Sequence, residues 1–192
     1  MSFVNTVELI GDEALANSII DRSITEIADN ITKSIGNHAF WQCATLKKAD
    51  FRAATSVGIA SFSGCTSLES VNLPAVTSVS RSVFIQCPFR TLDLPAVTSI
   101  GANALDKCKK LAALILRNTT MCKLEGDIGT TTFNYYTRDG YIYVPRALLS
   151  DDNASKDYRR ATNWSKYANQ FRALEDYTVD GTTTGALDTT KI

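Results

Sequence analysis

The chain is short of the residue types on which most catalysts and nucleic-acid binders depend. It holds one histidine, His38, in 192 residues, and twenty basic side chains are balanced by twenty acidic ones. A single histidine leaves little material for a Cys–His or Ser–His pair. Zero formal charge supplies no basic stripe of the kind that tracks a phosphate backbone. The nearest approach, Arg159-Arg160, reads as a solvated face. No apolar run reaches the roughly 18 to 20 residues that span a bilayer. The start, Met1–Ile10, carries Glu8 and is followed by Asp12 and Glu13, unlike the basic and then apolar start of a secretory signal. The expectation is a mature fragment, or a chain that reaches its place without such a signal. No G-x-x-x-x-G-K-[ST] loop, G-x-S-x-G elbow or H-E-x-x-H helix occurs, and these absences argue against an enzyme. The same reading assigns no cofactor, no nucleic-acid partner and no membrane insertion.

What the chain does have is repetition. Ile35–Ser56, Val57–Ser78, Val79–Ser99 and Ile100–Met121 align with one another at spacings of 22, 22 and 21 residues. Superposed, they place Phe40, Phe62, Phe84 and Leu105 in one column and Cys43, Cys65, Cys87 and Cys108 in the next. Leu46, Leu68, Phe89 and Leu111 follow, then Ala49, Val71, Leu92 and Leu114, then Phe51, Leu73, Leu94 and Leu116. Ala54, Val76 and Val97 come next, and Val57, Val79 and Ile100 close each turn. Apolar residues at fixed offsets in a period of the low twenties predict a solenoid in which each coil covers its neighbour's apolar face. The third stretch is one residue short, with Pro88 replacing two residues found elsewhere, and register returns at Leu92.

The cysteines come one per coil, without the paired spacing of a structural zinc site. Cysteine packs as a small hydrophobe and is often buried, so the column reads as reduced core. A disulfide between adjacent coils and a metal site are the lesser alternatives. Cys122 lies out of phase and is expected to be the most accessible thiol. His38 shares a variable turn column with Ala60, Ser82 and Asn103, a poor place for a catalytic base.

The pattern A-F-x-x-C-x-x-L-x-x-V-x-L-P-A-V-T-S-I-G resembles the leucine-rich repeats of BspA-like bacterial surface proteins. Here it reads Ser61-Phe62-Ser63-Gly64-Cys65-Thr66-Ser67-Leu68-Glu69-Ser70-Val71-Asn72-Leu73-Pro74-Ala75-Val76-Thr77-Ser78-Val79. With a partial coil at Ile24–Ser34, the resemblance covers about half the chain. It implies a binding or adhesion scaffold, often on a bacterial surface and also encoded by bacteriophages, and names no ligand.

Four regions are expected: a helical N-terminal cap over 1–23, a solenoid over 24–122, a capping module over 123–177 and a flexible tail over 178–192. In Thr6–Ile20, Val7, Ile10, Ala14, Leu15 and Ile19 recur at helical spacing behind Thr6 as N-cap. Asp29 stands where later coils carry Phe51, Leu73 and Leu94, which suits a first coil with one face in water. Tyr141–Val144 alternates as a strand that stops at Pro145. From Arg146 to Leu174 the pattern is mostly helical, with Ala147, Leu148, Tyr158, Ala161, Trp164, Tyr167, Ala168, Phe171 and Leu174 as its buried set. Trp164 and Tyr167 read as capping residues, with an aromatic ligand platform as the alternative. The Thr-, Gly- and Asp-rich tail has too little apolar surface to order by itself. The fold class is therefore an α+β solenoid with a helical N-terminal cap and a mixed strand and helix C-terminal cap.

Strand side chains alternate, so residues between the buried columns face out. One outward column is Lys48, Ser70, Thr91 and Ala113. Another is Asp50, Asn72, Asp93 and Ile115, flanked by Lys47, Glu69, Arg90 and Ala112. Lys48, Asp50, Ser70, Asn72, Arg90, Thr91 and Asp93 are the candidate binding residues for a protein or glycan ligand, on an extracellular, bacterial-surface or virion protein. The alternative is a structural subunit of an assembly such as a phage tail or decoration protein, contacting its own copies or virion neighbours.

Overall fold

The computed structural model describes residues 9–15, 24–129, 140–150, 156–188 and 190–191. Its architecture is a β-solenoid with three ladders running along the stack. The first ladder is a six-stranded parallel sheet of very short strands, in the order β1 (Leu9–Ile10), β3 (Ser34–Ile35), β5 (Ser56–Val57), β7 (Ser78–Val79), β9 (Ser99–Gly101) and β11 (Lys123–Glu125). Each strand buries its branched residue, from Ile35 and Val57 to Val79 and Ile100. The Ser-Val pairing repeats in register: Ser34 with Ser56, Ser56 with Ser78, and Ser78 with Ser99.

The second ladder carries the longer strands β2 (Glu26–Asp29), β4 (Lys48–Phe51) and β6 (Ser70–Asn72) in one parallel sheet. A second parallel sheet continues the same side with β8 (Thr91–Asp93), β10 (Ala113–Ile115), β12 (Tyr141–Val144) and β13 (Phe171–Ala173). The third side is built of turns. His38, Phe40 and Gln42 donate their N–H groups to Ile59, Ser61 and Ser63 of the next coil, and Ala60, Phe62 and Gly64 do the same to Arg81, Val83 and Ile85. Two left-handed residues per coil make this possible: His38 and Gln42, Ala60 and Gly64, Ser82 and Gln86, Asn103 and Lys107 all have φ between 52° and 79°. Only Gly64 among them escapes the steric cost of that region. The His38 column is thus a conformational one: its members share the left-handed φ while their burial ranges from buried Ala60 to exposed Asn103.

The core lies between these ladders, and its columns are the expected ones. Phe40, Phe62 and Phe84 stack along the axis with centroids 4.9 and 5.8 Å apart. Every member of the leucine, alanine and valine columns is buried except Val71. The cysteine column has an added role: the Sγ atoms of Cys43, Cys65, Cys87 and Cys108 donate to the carbonyls of Leu15, Phe40, Phe62 and Phe84, at 3.0 to 3.2 Å. The carbonyls of Phe40, Phe62 and Phe84 also accept the N–H of Cys43, Cys65 and Cys87, so the thiol of the next coil fills the space and serves the second acceptor site of each carbonyl. None of the five cysteines is in a disulfide.

Several expectations are corrected. The described residues form almost no helix, only 3-10 segments at Arg146–Leu148, Ser165–Gln170 and Leu174–Tyr177, so the α+β class gives way to a β-solenoid. The described middle of the expected N-terminal helix is β1 and a turn, while residues 6–8 and 16–20 lie outside the described residues. β1 pairs with β3, Glu13 N–H bonds Asn37 O, and Glu13 is left-handed as His38 is. Pairing with the following coil overrides the helical spacing of Val7, Ile10 and Ala14. Asp29 is buried instead of standing in water: its carboxylate accepts from Ile31 N at 2.6 Å, from Thr32 N at 3.0 Å and from Thr32 Oγ1 at 2.5 Å. Cys122 is buried as deeply as the ladder cysteines, and Ala147 is exposed.

Candidate functional site

The face built by β4, β6 and β8 presents the candidate residues. Lys48, Ser70, Asn72, Arg90 and Thr91 are exposed, and Asp50 and Asp93 are half-buried. Parallel register places Lys48 beside Ser70 and Asp50 beside Asn72, about 4.8 Å apart as neighbouring strands are. Asn72 Nδ2 donates to Asp50 Oδ1 at 2.9 Å, and Asp50 also receives Arg52 Nε at 3.1 Å. Lys48 pairs with Glu26 at 3.0 Å, with both side chains more than half exposed. Such open pairs contribute little stability and give way readily to a ligand. Asp93 is held by the Arg117 guanidinium, with Nε at 2.9 Å and Nη2 at 2.8 Å. The acidic row is thus engaged by amide and guanidinium groups, and among the described residues no cluster of His, Cys, Asp or Glu has the makings of a cation cage.

The face has a definite end. Ala113 and Ile115, expected on the outward columns in solvent, are completely buried. Tyr143 and Leu174 form a second apolar cluster with them, and Tyr141, Tyr177 and Leu187 pack against it. The tail runs over this cluster: Thr178 bridges Leu187, and Arg117 Nη1 donates to the carbonyls of Thr183 and Gly185 at 2.7 and 3.0 Å. Composition offered no sign of this, because the anchor comes from one guanidinium and backbone carbonyls. The outward surface of the fourth repeat stretch, Ile100–Met121 (coil 4), is covered, and the open face belongs to the coils before it.

At the end of the stack, β11 is the edge strand of the short-strand sheet, and side chains complete it. Trp164 Nε1 donates to Cys122 O at 2.7 Å, Asn163 Nδ2 donates to Leu124 O at 2.7 Å, and Cys122 N donates to the Tyr158 hydroxyl at 2.5 Å. An edge so treated cannot template another strand. Trp164 is buried against Tyr158 and Phe171, which places it in the cap and takes it out of any exposed aromatic platform. Tyr167 reaches the Asp127 carboxylate, which Lys166 also contacts. Burial alone would raise the pKa of Asp127, and the bonds from Lys166, Tyr167 and Gly129 N reverse this and lower it. A cleft of about 630 Å³ remains between β11 and Ala161–Trp164.

Parallel coils of about 22 residues around a leucine, phenylalanine and cysteine core define a leucine-rich-repeat solenoid. The chain belongs to the BspA type leucine-rich-repeat family, whose model matches in six copies over residues 1–112, more than half of the chain. In fold it is similar to a leucine-rich repeat protein from Bacteroides ovatus, at 22% identity and a TM-score of 0.52 over 77% of this chain and 49% of that one. A leucine rich cell surface protein from Faecalibacterium prausnitzii matches at 23% identity and a TM-score of 0.44, over 62% of this chain and 39% of that one. The pneumococcal vaccine antigen PcpA matches at 14% identity and a TM-score of 0.48, over 76% of this chain and 38% of that one. This chain thus spans half or less of the length of those structures. No curated protein matches it. No helix of the described residues is long and apolar enough to cross a membrane.

Proposed function

We propose that the protein is a non-enzymatic binding module of a bacterial cell surface, recognising a protein or glycan through the open face of β4, β6 and β8. The observation behind this reading is the contrast between the two parts of one sheet. Over coil 4 the outward positions are apolar and covered by the chain's own C-terminal segment. Over the preceding coils they are polar, exposed at Lys48, Ser70, Asn72 and Thr91 and half-buried at Asp50 and Asp93. A row of varied polar groups on a rigid, hydrogen-bonded stack is the arrangement repeat proteins use for recognition, because those side chains change without disturbing the core. Membership of a repeat family that includes surface proteins supports the location.

The test is a screen of the full chain against arrays of glycans and surface proteins, repeated with Lys48→Ala/Asn72→Ala/Thr91→Ala. The reading expects a ligand that the triple variant loses while its thermal melt stays within a few degrees of wild type. A ligand bound equally by both contradicts it.

A further inference from the structure

The third repeat stretch, Val79–Ser99 (coil 3), departs from the pattern of the coils on either side of it. At β4, β6 and β10 the two residues opening the sheet strand give both N–H groups to one carbonyl of the preceding coil: Lys47 and Lys48 to Thr25 O, Glu69 and Ser70 to Lys47 O, and Ala112 and Ala113 to Arg90 O, all between 2.7 and 3.2 Å. Arg90 and Thr91 make no such pair with Glu69 O, and β6 and β8 lie side by side in separate sheets. The cause is the shortened corner at Pro88, where a fixed φ and one residue fewer leave the chain unable to reach. Val71, half-buried while its column mates are buried, lies beside this interruption, a notch in the hydrogen-bonded ladder.

Arg90 stands at this break, and by register Lys109 and Lys110 occupy the same corner of the following coil, beyond Pro88. Arg90, Lys109 and Lys110 are exposed, and among the described residues none has a carboxylate within 4 Å, a condition they share with Lys47, Arg81 and Lys107 elsewhere on the stack. The nearest acidic group by register is Glu69, one coil back in the Arg90 column, exposed and likewise without an ion pair. We propose that this notch is an anion-binding site and that its ligand is an acidic polysaccharide, one whose sugars carry carboxylate or sulfate groups. The inference rests on the reading of the sheet face as the recognition surface.

The chemistry is complementary at three levels. Two backbone N–H groups without a strand partner and the Thr91 hydroxyl are donors for an oxyanion. The three cations supply attraction without an internal partner to displace. Along the same face, Ser70 and Asn72 offer hydrogen bonds to sugar hydroxyls. A nucleic acid fits less well: the chain's net charge is zero, and among the described residues β4, β6 and β8 present no outward aromatic ring on which a base could stack. Trp164 is buried, and the Arg172 guanidinium covers the Tyr141 ring at 4.1 Å.

The test measures binding of the full chain to dextran sulfate, neutral dextran and a thymidine oligonucleotide at low and physiological salt. The variants are Arg90→Gln/Lys109→Gln/Lys110→Gln at the notch, Glu69→Gln beside it and Lys123→Gln on the other sheet. Expected are salt-sensitive binding of dextran sulfate alone, a loss of about tenfold or more in the triple variant, tighter binding by Glu69→Gln and no change with Lys123→Gln. Equal binding by the triple variant, an equal loss with Lys123→Gln, equal binding of neutral dextran, or tighter binding of the oligonucleotide overturns the proposal. Absence of dextran sulfate binding also overturns it, and a screened ligand lost by Lys48→Ala/Asn72→Ala/Thr91→Ala then shows that the wider face reading stands without it.

Discussion

Replacing Phe62 by alanine removes the central ring of the core stack. Phe62 is completely buried, lies 4.9 Å from the Phe40 ring at 8° and 5.8 Å from Phe84 at 17°, and also meets Phe51 at 6.3 Å. Truncating a buried phenylalanine costs about 3–5 kcal/mol through lost transfer energy and the cavity left behind. This site belongs at the upper end, because backbone ladders on all three sides hold the coils at a fixed rise and hinder collapse into the void. A Phe62→Leu change is much milder, about 1 kcal/mol, since the column accepts leucine at Leu105, itself buried. Denaturant unfolding followed by circular dichroism resolves the difference. Loss of less than about 1 kcal/mol in Phe62→Ala, or equal losses in the two variants, would refute the account of an axially stacked, rigidly spaced core.

Three further outcomes follow from particular contacts. Trp164→Phe keeps the ring but leaves the buried Cys122 carbonyl without its donor, and is expected to cost about 1–3 kcal/mol and to speed amide exchange at Lys123 and Glu125; unchanged exchange there contradicts the capping role. The thiols are expected to be inert to a thiol reagent at pH 8 until the protein unfolds, because burial pushes the pKa values of Cys108 and Cys122 up to about 12 and that of Cys87 well above its usual value; rapid reaction of even one thiol in the folded state is the contrary result. Asp29, Asp127 and Asp157 are raised by burial, but their hydrogen bonds prevail and lower each pKa. A folded-state value below the unfolded one of about 3.9 gives stability that is present above that pH and lost as pH falls through the folded values. The melting temperature should therefore hold from pH 7 to about 5 and drop steeply below 4, and a flat profile down to pH 3 would tell against these contacts.

The solenoid was legible because its signal is additive: four aligned coils repeat the same core columns, and no single substitution hides them. What escaped were features that no apolar column carries. The left-handed turn residues are His38, Ala60 and Ser82, side chains with no conformational signature of glycine. The first coil was readable, since Gly11-Asp12-Glu13-Ala14-Leu15 matches Gly36-Asn37-His38-Ala39-Phe40, but the helical spacing of Val7, Ile10 and Ala14 competed with it. Asp29 in an apolar column pointed to solvent, when Thr32 and two backbone N–H groups had made a polar core position for it. Alternation correctly put Ala113 and Ile115 on the outer face, and their apolar character hinted at the cover that Tyr143 and Leu174 supply. Pro88 was visible as a deletion, but its effect on the β6 and β8 pairing depends on reach across the corner, which is a matter of three dimensions.

The most direct test of the recognition face is hydrogen–deuterium exchange on the protein alone and saturated with the ligand that the array screen selects. The account predicts added protection concentrated in Lys48–Phe51, Ser70–Asn72 and Arg90–Asp93. Protection confined to the turn side, over His38–Gln42 and Ala60–Gly64, or to the cap around Asn163 and Trp164, would contradict it.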